Sequence, residues 1–161
     1  MKDLSLLVAD KDTANDLLWD WEAAGWAARG MRGKKMRTAD RLWDEFAAAC
    51  QFPWYCGKNW DAFRECLGDM DTWLTQTSGI ALLMYDAAEV LLDESAEQIE
   101  ILLRSFGSAA EGYAVAMGRG AVPAVPFHIV LQAEAGRPEA VVRERWTAAG
   151  ADLVPFTRLD G

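Results

Sequence analysis

Asp61, Glu65 and Asp69 recur at every fourth position of one short segment. On a helix this spacing puts three carboxylates in a row along one face, a turn apart. Such a row can do three things. It can accept charge-assisted hydrogen bonds from the arginines or lysines of a partner, it can supply an acid–base pair, or it can simply be a solvated face. Acid–base carboxylates normally face each other across a cleft from separate elements. Neighbours on one helix turn cannot surround a substrate bond in that way. Like charges at this spacing also cost the helix a little stability, and only Asp61 gains from the positive helix N-terminus. A row kept at a small local cost suggests a job at that face.

Residue types for other chemistry are scarce. The one histidine, His128, lies inside an apolar run and reads as a packing or edge residue rather than a catalyst. Cys50, Cys56 and Cys66 form no CxxC pair, and there is no second histidine to complete a zinc site. Their odd number does not suggest a disulfide framework, so they are read as reduced thiols, with Cys66 in the core and Cys56 nearer the surface. No phosphate-binding or nucleophile-elbow motif occurs, and Gly118-Arg119-Gly120 is only a loop signal. The reading is therefore no catalytic residue, no metal and no cofactor.

The elements that must position the acidic row follow from local signals. Asn59 is a good N-cap for a helix running to about Met70, with Trp60, Phe63, Cys66, Leu67 and Met70 on its other faces. Before it, residues 54–58 form a loop containing Gly57, entered through Phe52-Pro53, which ends a helix capped by Thr38. That earlier helix carries Leu42, Phe46, Ala49 and Cys50 on one face. Residues 80–85 are a continuous apolar run of strand length, and 127–131 are another. Weaker strand signals fall at 4–8, 26–31 and 152–156. Further helices are expected at 13–24, at 86–92, after Ser95 and at 139–149, with a loop at 118–123. Alternation of strands and helices implies a parallel sheet with right-handed crossovers. Of the eight tryptophans, Trp19, Trp21, Trp43, Trp73 and Trp146 read as packing residues.

The chain has 161 residues and a formal charge of -9, from 25 acidic and 16 basic side chains. An acidic chain is poorly suited to nucleic acid, whose phosphates are neutralised by Lys and Arg, and well suited to a basic protein partner. The N-terminus lacks the apolar core of a signal peptide, and no apolar run is long enough for a membrane span, so a cytoplasmic location is expected.

At Tyr55, Gly57, Asn59, Asp61, Ala62, Cys66 and Leu67 the sequence resembles the barstar family of ribonuclease inhibitors, whose pattern is roughly Tyr-x-Gly-x-Asn-x-Asp-Ala-x-x-Asp-Cys-Leu. Residues 33–38 resemble the turn after the family's first strand, and 80–86 and 126–132 its second and third strands. The likeness spans about residues 26–132. It implies an α/β fold, in two or three layers, with a mainly three-stranded parallel sheet packed by helices. Residues 26–133 would form the family domain, with extensions at 1–25 and 134–161. It further implies that the loop and helix plug the active site of a small, basic, secreted-type ribonuclease. Asp61 and Glu65 would meet its phosphate-binding cations, Tyr55, Gly57 and Asn59 would shape the loop side, and Trp60 would pack on the partner's rim. The inhibitor would be a monomer when free. Glu65 departs from the family's aspartate, Lys58 and Arg64 bring positive charge into the patch, and Ser105 or a neighbour replaces an acidic contact of some members. The alternatives are a module for a different basic toxin or protein and, least supported, an enzyme.

Overall fold

The computed structural model describes residues 4–75, 77–115 and 124–159. Five parallel strands form one sheet: β1 (Leu4–Val8), β2 (Ala27–Arg32), β3 (Ile80–Tyr85), β4 (Phe127–Ala133) and β5 (Val154–Pro155), in the order β2-β3-β4-β1-β5. The three strands expected from the resemblance are contiguous as β2, β3 and β4. The segments on either side of them extend the sheet to five, β1 pairing with β4 from Leu4↔Ile129 to Val8↔Ala133 and β5 with β1.

Five helices join the strands: α1 (Lys11–Ala23), α2 (Ala39–Ala49), α3 (Trp60–Gly68), α4 (Glu97–Ala114) and α5 (Arg137–Ala148). A sheet reached only through crossovers is covered on both faces, which is why β3 reads as an unbroken apolar run. Its residues nonetheless divide by alternation. Ile80, Leu82 and Met84 join Ile129 and Leu131 in a large core beneath α2, α3, α4 and α5, whereas Ala81, Leu83 and Val130 face the other way, onto Ala14 and Trp21 of α1. The architecture is thus three-layered, with α1 on one face and the other helices opposite.

Local caps account for several helix starts. Oδ1 of Asp10 accepts the Thr13 N–H at 2.7 Å, so α1 begins two residues before the apolar spacing suggested, and Thr38 caps α2 through the Arg41 N–H at 3.3 Å. Two expectations about helices do not hold. Ser95 does not cap α4 with its side chain; Ala96 stands at the cap, and Ser95 contributes its carbonyl to the Gln98 N–H at 3.1 Å. Residues 86–92 form only a 3-10 turn at Ala87–Glu89 followed by turns, with Asp86 and Leu91 at positive φ (47° and 53°). Tertiary bonds override the helical pattern there, with the Leu91 N–H donating to Met36 O (2.8 Å) and the Arg145 guanidinium to the carbonyls of Ala88, Val90 and Leu91. Trp21 and Trp146 are buried as expected, but Trp19 is largely exposed on the outer face of α1. The loop expected at 118–123 lies outside the described residues.

Candidate functional site

Asn59 is extended (φ −162°) and its side chain accepts the Ala62 N–H at 2.8 Å, starting α3 where the sequence placed it. The inner row of α3, Phe63, Cys66 and Leu67, is buried. The Phe63 ring meets Phe46 edge-on at 5.1 Å and Trp60 at 5.6 Å, the edge-to-face geometry that aromatic quadrupoles favour. Trp60, expected on the partner's rim, turns inward and is partly buried: its ring lies edge-on to Trp43 at 5.5 Å, and its Nε1–H donates to Oε1 of Gln98 on α4 at 2.9 Å. The far end of α3 is pinned by Tyr113 of α4, whose buried hydroxyl donates to Leu67 O (2.6 Å) and accepts the Met70 N–H (2.9 Å). Burial pushes that phenol's pKa above its ordinary value. The helix stops at Gly68 rather than at Met70, which begins a 3-10 turn. A rigid helix therefore presents Asp61, Arg64 and Glu65 to solvent.

The loop before α3 is a ridge. Trp54 and Tyr55 stand out from it, 94% and 71% exposed, with their rings 5.9 Å apart in an edge-on pair. The Cys56 N–H donates to Pro53 O at 2.9 Å. A cleft of about 270 Å³ separates the ridge from α2, and a smaller one of about 130 Å³ separates it from the outer face of α3, where Glu65 and Asp69 line it. Gly57 is not among the glycines with positive φ, and a Cβ built on it would meet only Asn59 Nδ2 at 3.4 Å and Ala62 Cβ at 3.5 Å, ordinary contacts. The fold does not require glycine there. What glycine provides is bare backbone on an exposed ridge.

Cys56 and Cys66 form a disulfide, with Cα atoms 6.6 Å apart, which corrects the reading of three reduced thiols. The loop folds back over the first turns of α3, so a residue in the loop meets one two turns along the helix. The odd cysteine count reflects only Cys50, which is fully buried and whose thiol is pushed up to about 12 by burial.

The charge on this surface is also better organised than the sequence suggested. Lys58 does not dilute the acidic face as an unpaired cation; it bridges Asp40 (2.9 Å) and Asp44 (3.1 Å) of α2, and these hydrogen bonds raise its pKa. Arg64 is engaged by Asp61, with Nη2 3.0 Å from Oδ1. Glu65 makes no hydrogen bond or ion pair among the described residues. Five exposed carboxylates (Asp40, Asp44, Asp61, Glu65 and Asp69) surround two cations, and the face remains acidic. Ser105 cannot replace an acidic surface contact itself, because it is buried and donates to Ile101 O at 3.0 Å. No group of three possible metal ligands occurs among the described residues.

This arrangement, a loop ridge and capped acidic helix set on a parallel sheet, lies within the 26–132 stretch that matches the family model described as barstar (barnase inhibitor). The chain belongs to the barstar family. No curated protein matches it significantly. The barstar match begins one residue before β2 and ends at the penultimate residue of β4, so α2, the ridge, α3 and α4 all fall within it, while β1, α1, α5 and β5 lie outside. Barstar-family proteins are inhibitors, not enzymes. No helix among the described residues is long and apolar enough to cross a membrane.

Tyr55, Gly57, Asn59, Asp61 and Glu65 come together on the ridge and the outer side of α3, while Trp60 turns inward. Sequence reasoning missed Trp54 and the Cys56–Cys66 bond. A signal for Trp54 existed, since an aromatic residue between Pro53 and Gly57, outside any helical period, has no apolar face to join.

Proposed function

We propose that this barstar-family chain inhibits a small basic ribonuclease by seating its ridge and the outer side of α3 over the enzyme's active site. The observation that carries this reading is the exposed constellation of Trp54, Tyr55 and bare Gly57 on the ridge with Asp61 and Glu65 on a helix anchored from behind by Phe63, Trp60 and Tyr113. A ribonuclease must hold phosphate with Arg and Lys, and carboxylates can take the place of that phosphate through charge-assisted hydrogen bonds. The tyrosine and tryptophan supply rigid contact area of the kind that anchors protein interfaces, and the acidic face favours rapid encounter, for which the family's namesake pair is itself a standard case. Asn59 acts through the helix start it caps. We place the inhibitor in the cytoplasm, as a monomer when free, protecting its own cell's RNA.

The test is cleavage of RNA by a barnase-type ribonuclease in the presence of the wild type, of an Asp61→Ala, Glu65→Ala double variant, and of Asp69→Ala as a control. Inhibition by the wild type and Asp69→Ala, lost in the double variant, supports both target and site. If neither wild type nor control inhibits while the wild type binds another basic protein through the same residues, the target is a different toxin, consistent with glutamate rather than aspartate at position 65.

A further inference from the structure

The Cys56–Cys66 bond encloses a ring of chain that contains Gly57, Asn59, Asp61 and Glu65, most of the proposed contact surface. It is also the one side-chain cross-link between ridge and helix among the described residues. The other tethers near it are noncovalent: the Cys56 N–H to Pro53 O bond, the Lys58 bridges, which run to α2, and a contact of 3.6 Å between Cys56 Sγ and the Ala62 carbonyl of α3. Both cysteines line the small cleft between ridge and helix, with Cys56 partly exposed and Cys66 8% exposed. The third cysteine is sealed in the core and cannot compete for either partner.

Resting on the inhibitor reading above, we propose that Cys56 and Cys66 are a reversible redox pair that regulates this face, the disulfide form being the tight-binding one. A disulfide in a reducing compartment is usually transient and regulatory rather than structural. The chemistry needs a low-molecular-weight disulfide such as glutathione disulfide. The thiolate of the more exposed Cys56 attacks one of its sulfurs, forming a mixed disulfide and releasing one glutathione thiolate. The Cys66 thiolate then attacks the Cys56 sulfur and releases the second. The protein loses two electrons and two protons, and glutathione disulfide becomes two glutathiones. Closing the ring fixes the ridge against α3 before any partner arrives. Reduction leaves Trp54 and Tyr55 on a loop that must be ordered during docking, and that ordering cost weakens binding.

The full-length chain should be equilibrated in glutathione buffers of graded ratio, labelled with a thiol alkylator and analysed by mass spectrometry, and each form titrated against a barnase-type ribonuclease. Cys56 and Cys66 should gain and lose label together, with Cys50 unlabelled in the folded protein. Reduction should weaken inhibition by on the order of tenfold. Cys56→Ser and Cys66→Ala should both inhibit like the reduced form and ignore the buffer; the first of these alters no buried residue. Equal inhibition by both forms, or thiols that stay free at every ratio, overturns the proposal. If neither form inhibits, the ribonuclease reading has failed, and amide hydrogen exchange decides the redox one. Faster exchange at residues 54–58 on reduction upholds it, and unchanged exchange overturns it.

Discussion

Arg64 should restrain inhibition, and replacing it with glutamine should tighten binding. In the free protein its Nη2 lies 3.0 Å from Oδ1 of Asp61, and both side chains are well exposed (52% and 87%). A guanidinium from the partner that takes both oxygens of Asp61 competes with Arg64 for Oδ1. An exposed pair three residues apart on a helix is worth about 0.2–0.5 kcal/mol, so its release costs about that much. Arg64 also repels whatever cation Asp61 meets. At a separation of about 8 Å in water the repulsion is about 0.5 kcal/mol, and physiological salt reduces it to roughly 0.2. Together these give about 0.4–0.7 kcal/mol at physiological salt and about 0.7–1 kcal/mol at low salt, or a roughly two- to fivefold lower inhibition constant for Arg64→Gln. Stopped-flow association and dissociation with a barnase-type ribonuclease at low and physiological salt would measure it, with the larger gain at low salt. In an Asp61→Ala background the gain should shrink to the salt-dependent part. Weaker binding by Arg64→Gln would falsify this account, because it would mean that Arg64 itself contacts the partner.

Two further outcomes follow from the elements that hold the site. Asn59→Ala should cost about 1 kcal/mol in urea denaturation and Asn59→Asp should recover most of it, since either oxygen can accept the Ala62 N–H; equal losses in both would show that the cap is not what matters. Glu45 accepts from the Arg32 side chain at 2.7 and 3.0 Å, and this pairing holds its carboxyl below its ordinary value of 4.5. A depressed folded-state pKa adds stability that is fully present above the unfolded value and is lost as pH falls from there through the folded one. Glu45→Gln should therefore lower stability at pH 7 and flatten its decline below about pH 4.5; parallel denaturation curves for the two proteins across that range would rule this out.

What the sequence made legible was largely local. Thr38 and Asn59 could be read as caps because a cap is a contact between a side chain and a backbone group three residues away. The run 80–85 could be read as a strand because both faces of β3 are buried. Contacts between distant segments were not legible. Residues 86–92 have helical spacing, but their backbone is claimed by Met36, Gln132 and Arg145 from three distant parts of the chain. The disulfide was obscured because parity says nothing about which thiols meet, and only the fold-back of the ridge brings Cys56 to Cys66. Lys58 looked like a contaminant of the acidic face because its partners, Asp40 and Asp44, belong to the preceding helix. Trp54 was passed over because hydrophobic character predicts burial on average, and the informative case is the large apolar side chain that stays outside.

The segments flanking the barstar match complete the core rather than decorate it. Without β1, strand β4 would present an open edge, since β1 is its partner at five successive positions. Without α1, Ala81, Leu83 and Val130 would lose the Ala14 and Trp21 cover on that face of the sheet. Gln132 joins these parts at the carboxyl ends of the strands. Fully buried, it accepts the Asp86 N–H at 2.8 Å after β3 and donates to Ala9 O at 2.7 Å after β1, so neither end of its amide is left unpaired. The acidic helix draws its support from the opposite face, through Phe63, Trp60 and Tyr113. Two layers thus carry separate demands. The α1 side closes the sheet, and the α2–α4 side holds a ridge and a helix still enough for a few exposed side chains to act as one surface.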